Sequence, residues 1–63
     1  MRTNGDQLYL NARQLRERWG GVSHMYLVRL LDRDPSFPRP VRFGGGQMRF
    51  WRLAEIERWE SRQ

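Results

Sequence analysis

The 63-residue chain has no cysteine, no lysine and a single histidine, His24. Without cysteine there is no disulfide, and one histidine without thiolates cannot assemble a zinc site of nitrogen and sulfur ligands. Packing alone must therefore hold the fold. No apolar run approaches the roughly 18 residues of a membrane span, and residues 1–7 carry no apolar segment of the kind found in a secretory signal. A cytoplasmic protein is expected, with no membrane partner and no cofactor. The length excludes a second core, because so short a chain buries only about 60% of its unfolded surface.

Aromatic residues and arginine are plentiful instead. Three Trp, three Phe and two Tyr are a heavy load for this length, and large rings are how a small domain gathers enough buried apolar area. All 12 basic residues are arginine, against seven acidic ones, for a net charge of +5. The planar guanidinium fork suits phosphate and guanine edges, although a GC-rich genome produces the same preference over lysine. Residues 1–52 hold ten Arg against Asp6, Glu17, Asp32 and Asp34; residues 53–63 hold two Arg against Glu55, Glu57 and Glu60. The basic field, +6, precedes Leu53 and the remainder is −1.

Residues 1–7 read as a flexible N-terminal tail and 8–63 as one domain. Leu8-Tyr9-Leu10 is a short extended segment, followed by Asn11 and Gln14 at capping-box spacing and by a Leu10–Leu15 hydrophobic staple, which start a helix at Ala12. Gly20-Gly21 ends that helix. Ser23 caps a second one with a Val22–Leu27 staple, and its inward stripe is Leu27, Leu30 and Leu31. That stripe turns His24, Met25, Val28, Arg29 and Asp32 outward and leaves Tyr26 at the border. Asp34-Pro35 stops the helix, and the proline-rich stretch to Pro40 reads as a rigid connection. Val41-Arg42-Phe43 and Met48-Arg49-Phe50 alternate apolar and basic residues around Gly44-Gly45-Gly46-Gln47, the pattern of a hairpin with an arginine outer face. Leu53, Ile56 and Trp59 mark a third helix, with Glu55 and Arg58 spaced to pair. Trp19 and Trp59 are expected in the core; Trp51 fits either the core or a stacking platform.

The expected fold is small α+β: a winged helix-turn-helix made of a short strand, two helices, a β-hairpin wing and a closing helix. In that plan the second helix offers its N-terminal residues to base edges in the major groove. Ser23, His24, Met25, Tyr26, Val28 and Arg29 are the candidates there, with Arg29 the principal one. A glycine tip enters the minor groove, giving Arg42, Gly44, Gly45, Gly46, Gln47 and Arg49 as wing contacts, while Arg13, Arg33 and Arg39 reach phosphates. Catalysis is not expected: Ser23 and His24 are adjacent, no carboxylate orients them, and Ser23 already serves as a cap. The glycine run precedes neither a Lys-Ser or Lys-Thr pair nor a helix start, so it is no phosphate-binding loop.

Gly21-Val22-Ser23, Arg29-Leu30-Leu31, the run Phe37-Pro38-Arg39-Pro40-Val41-Arg42-Phe43-Gly44-Gly45, and Phe50-Trp51-Arg52 with Glu55-Ile56-Glu57-Arg58-Trp59 resemble the AlpA and excisionase group of MerR-like winged-helix proteins over about residues 8–60. Asp34-Pro35-Ser36 is longer than the family pattern, and Val28 stands where tyrosine is frequent. The resemblance implies duplex DNA binding, either as a recombination directionality factor (excisionase) that bends DNA for an integrase or as an AlpA-type transcriptional regulator. The excisionase role is favoured because no effector-sensing or dimerising segment is recognisable. A protein-interaction module of antitoxin type is the alternative from another class. The charge split further suggests self-association on adjacent DNA sites, with Glu55, Glu57 and Glu60 of one copy meeting Arg13, Arg16 or Arg18 of the next.

Overall fold

Local capping signals decide where the first helix begins. The Asn11 side chain accepts from the Gln14 amide at 2.8 Å, and the Gln14 side chain accepts from the Asn11 amide at 2.9 Å. This reciprocal pair satisfies two amides that a helix start otherwise leaves without partners. The computed structural model describes residues 8–63, and the tail expected over residues 1–7 lies outside them. In chain order the elements are β1 (Tyr9–Asn11), α1 (Ala12–Arg18), α2 (His24–Arg33), β2 (Phe50–Arg52) and α3 (Leu53–Glu60). The result is a small α+β domain in which β1 and β2 pair antiparallel, Leu10 opposite Trp51.

Between α1 and α2 the chain reverses through Gly20 and Gly21, with φ of +85° and +83°, a region that side chains with a Cβ rarely adopt. The turn is tied at several points. The Arg16 carbonyl accepts from the amides of Trp19, Gly21 and Val22, and the Arg16 guanidinium donates through Nε to the Val22 carbonyl at 3.1 Å. Ser23 then caps α2, its Oγ accepting from the Tyr26 amide at 3.1 Å.

The core is Leu10, Leu15, Leu27, Phe37, Trp51, Ile56 and Trp59, with Ala12, Trp19, Leu30, Leu31 and Leu53 packed around it. Phe37 lies at its centre although it belongs to the proline-rich connection. Its ring meets Trp19, Trp51 and Trp59 at centroid distances of 6.0, 6.4 and 5.0 Å. The connection is therefore a buried part of the core as well as a spacer. Trp51 is fully buried, which settles it as a core residue.

Each of the three indole N–H groups has a partner: Trp19 donates to Glu60, Trp51 to the Pro38 carbonyl and Trp59 to Asp34. A buried N–H without one costs about 1–3 kcal/mol. These bonds also fix the rings in place and tie α1 to α3 and α3 to the segment after α2.

The hairpin expected over Val41–Phe50 is narrower than the alternation of residues suggests. Only Val41 and Phe50 form a ladder pair, with N–O distances of 2.7 and 2.9 Å, and Gly46 N donates to Phe43 O at 3.0 Å across the tip. With the tip closed at Phe43–Gly46, a regular hairpin would place Val41 opposite Met48. It faces Phe50 instead, so the return arm carries two extra residues and the regular in-and-out alternation is lost.

Candidate nucleic-acid interface

The N-terminal half of α2 presents side chains and keeps few for itself. Because Ser23 provides the cap, the first turn leaves His24, Met25 and Tyr26 exposed, Met25 at 54% and Tyr26 at 45%. Tyr26 nevertheless leans edge-on against Trp19, with centroids 6.3 Å apart, which fixes its position at the border of the core. Arg29 lies exposed further along the helix. Val28, expected to point outward, is half-buried. Tyr26, Arg29, Leu30, Arg33, Asp34 and Pro35 line an open groove of about 400 Å³ along this helix. Arg29 and Arg33 make no ion pair among the described residues, so both guanidinium groups remain available to an anion.

Loop 42–49 holds the second set of candidates. Gly44 and Gly45 have φ of +59° and +70°, positive at both central positions of the turn as in a type I′ tip. A Cβ at either would meet nothing within 4 Å, so the tip is open and its conformation alone demands glycine. Arg42 and Gln47 are exposed. Arg49, expected on a wet outer face, is half-buried, and its guanidinium lies over the Trp51 ring at 5.9 Å from the centroid. Phe43 and Met48, expected to face inward, are 52% and 56% exposed. Residues 42–49 form no regular strand, with Val41 and Phe50 the one bridge beneath them, so strand alternation does not govern which of their side chains are covered. Among the described residues, no hydrogen bond or ring contact joins α2 to this loop.

The three arginines assigned to phosphates differ in their freedom. Arg33 is exposed and, among the described residues, unpaired. Arg13 sits 3.3 Å from Glu17 one turn away, an exposed pair that contributes little and is easily exchanged for another anion. Arg39 is engaged within the fold, where its Nη1 donates to the Leu31 carbonyl at 2.6 Å and its Nη2 to the Asp34 carbonyl at 3.4 Å. It thus closes the C-terminus of α2, where a cation is favourable.

The acidic end of the chain is partly occupied within the fold. Arg18 holds Glu60 in a two-pronged pair, both distances 2.8 Å, and Trp19 Nε1 adds a bond of 2.7 Å. The Arg18 hydrogen bonds lower the Glu60 carboxyl below its ordinary value, and the Trp19 bond acts in the same direction; the same carboxylate raises Arg18. Asp34 is likewise lowered, chiefly by the hydroxyl and amide of Ser36 at 2.6 and 2.9 Å. Glu60 and Arg18, expected to meet neighbouring copies, face each other inside one chain. Glu55 and Arg58 form no ion pair with each other.

Scans against family models, curated proteins and solved structures return no match, so function is read from the chain's own residues. Two features near the loop escape sequence reasoning. Arg52 places its guanidinium over Tyr9, 5.9 Å from the ring centroid. Arg39, Arg52, Arg58 and Arg62 line a second groove of about 340 Å³ beside Trp59, with Glu55 its one carboxylate. The i, i+3 spacing of 52, 55 and 58 along α3 was a usable signal for the second feature. No helix among the described residues is long and apolar enough to cross a membrane.

Proposed function

We propose that this chain is a winged helix-turn-helix protein that binds duplex DNA, setting α2 into the major groove and loop 42–49, as the wing, into the minor groove. The observation that carries this reading is the N-terminal half of α2. A Ser23-capped helix, braced from behind by Leu27 and by the tied Gly20-Gly21 turn, presents consecutive exposed side chains and an Arg29 that is unpaired among the described residues. A braced helix that exposes His24, Met25, Tyr26 and Arg29 suits the width of the major groove and the mixed polar and apolar pattern of its base edges. Arg33, Arg42 and the weakly held Arg13 supply the phosphate contacts that hold such a helix in register.

With the resemblance to the AlpA and excisionase group, the reading extends to a recombination directionality factor that bends DNA for an integrase and binds beside further copies of itself. A single module of this size buries about 600–1,000 Å² on DNA, so neighbouring copies or a partner complete the specificity. Glu55 and Glu57 remain the acidic groups available for a neighbour. A nuclease footprint on the DNA flanking the chain's own gene tests the proposal. Protected, evenly spaced sites support it, and uniform cleavage at all protein concentrations contradicts it.

A further inference from the structure

We infer that loop 42–49 is a wedge: Phe43, seconded by Met48, inserts an apolar side chain between two stacked base pairs from the minor groove and kinks the duplex. The inference rests on the proposed DNA binding and adds to it a residue and a mechanism for bending.

Three observations converge on Phe43. Its ring is more than half exposed, as is Met48, although alternation along the chain would have placed both in the core. The ring is also held stiffly from behind. Tyr9 meets it edge-on at 5.1 Å and an interplanar angle of 90°, and Phe50 lies against it at 5.3 Å. A side chain that had merely failed to find the core would not be buttressed on two sides. Finally, Phe43 is the last residue before Gly44-Gly45, where even an added Cβ would meet nothing within 4 Å. The chain in front of the ring therefore has no side chains to obstruct a groove about 6 Å wide.

The charges around the ring identify the occupant. Arg42 is exposed beside it, Arg49 lies over Trp51, and Arg52 lies over Tyr9, the ring that buttresses Phe43. An apolar projection with an exposed arginine next to it in the chain and another over the ring that buttresses it fits a surface that is flat and apolar in the middle and anionic at its edges. A base-pair step between its two phosphate strands has that chemistry, and apolar wedges between base steps are a known way to bend DNA. Pyrimidine–purine steps, above all TA, unstack most readily and are the expected points of insertion.

The probe is a short duplex with one central TA step, 2-aminopurine in place of its adenine, and a donor and acceptor dye at its two ends. The parent protein should raise the 2-aminopurine emission and shorten the end-to-end distance, with a bend on the order of 20–90°. Phe43→Ala should lose both signals while its binding keeps the parental salt slope. Phe43→Leu, which keeps an apolar wedge and tests for damage to the loop, should retain them; Met48→Ala should reduce them. Binding by the parent without unstacking or bending overturns the wedge and leaves DNA binding intact, as does a Phe43→Ala protein that bends DNA as the parent does. No binding of the duplex by the parent overturns the proposed function and the wedge together.

Discussion

Two glycine turns in this molecule use the same backbone freedom to opposite ends. At Gly20-Gly21 the positive φ values serve a joint fastened on every side, by three amides on the Arg16 carbonyl and by the Arg16 guanidinium on Val22. At Gly44-Gly45 they serve a tip held by one hydrogen bond, with one ladder pair beneath it. The difference lies in what surrounds each turn. The first is flanked by helices whose leucines, Leu15 and Leu27, are buried in the core. The second projects beyond it. On the proposed function, the fixed joint suits a helix that presents side chains in one orientation, whereas the open glycine tip, ahead of a Phe43 ring buttressed by Tyr9 and Phe50, leaves a narrow groove unobstructed.

Removing what both turns depend on should have the largest effect. Phe37→Ala leaves a cavity among Trp19, Trp51 and Trp59 and should cost about 3–5 kcal/mol, comparable to the whole stability of so small a core. Circular dichroism should then show little helix at 25 °C, and a cooperative melt near the parental temperature would contradict the central role of Phe37. Arg29→Ala is expected to leave the melt unchanged and to weaken duplex binding by about 1–3 kcal/mol, measured by fluorescence anisotropy. The same affinity in parent and variant would remove Arg29 from the interface.

The glycine substitutions address the comparison directly. Gly20→Ala forces a Cβ into a left-handed conformation and should destabilise the fold by about 1–2 kcal/mol, because the fastened joint cannot relax. Gly44→Ala meets the same local penalty in a loop that is free to rearrange, so its melting temperature should fall less. Equal losses at the two sites would show that the tip is as constrained as the joint.

Acid should act on the fold through Glu60. Its folded value is lowered by Arg18 and Trp19, so its contribution is complete above the unfolded value of about 4.3 and fades as pH falls through the folded one. Melting temperatures should drop below about pH 4, and Glu60→Gln should reduce that drop at a cost near 1 kcal/mol at neutral pH. The smallest effect concerns the loop's cations. Replacing Arg42 and Arg49 together by alanine should make the salt dependence of binding shallower by about 0.9 for each phosphate no longer neutralised, and an unchanged slope would place both side chains away from the backbone.

Much of the scaffold was legible because its signals are local. The Asn11–Gln14 box, the Ser23 cap, the glycine stop and the leucine stripe each act within a turn or two of helix, where neighbours in sequence are neighbours in space. What could not be read depends on distant partners. Phe37 in a proline-rich connection gives no periodic signal, and only the convergence of three tryptophans makes it central. The exposure of Phe43 and the half-burial of Arg49 accompany a loop in which only Val41 and Phe50 pair, so residues 42–49 are not held to the alternation that a regular strand would impose. Arg39 looked like a free cation and instead closes α2, and Arg18 and Glu60, far apart in the chain, find each other. Of the candidate interface, the helix was legible and the shape of the loop was not.

The most direct test of the account is an amide chemical-shift titration of the isotopically labelled protein with the footprinted duplex, followed residue by residue. Shifts concentrated at Ser23–Arg29 and at 42–49, with Glu57 on α3 unmoved, are predicted. Shifts confined to the groove of Arg52, Arg58 and Arg62, with α2 silent, would contradict the assignment of α2 as the helix that reads DNA.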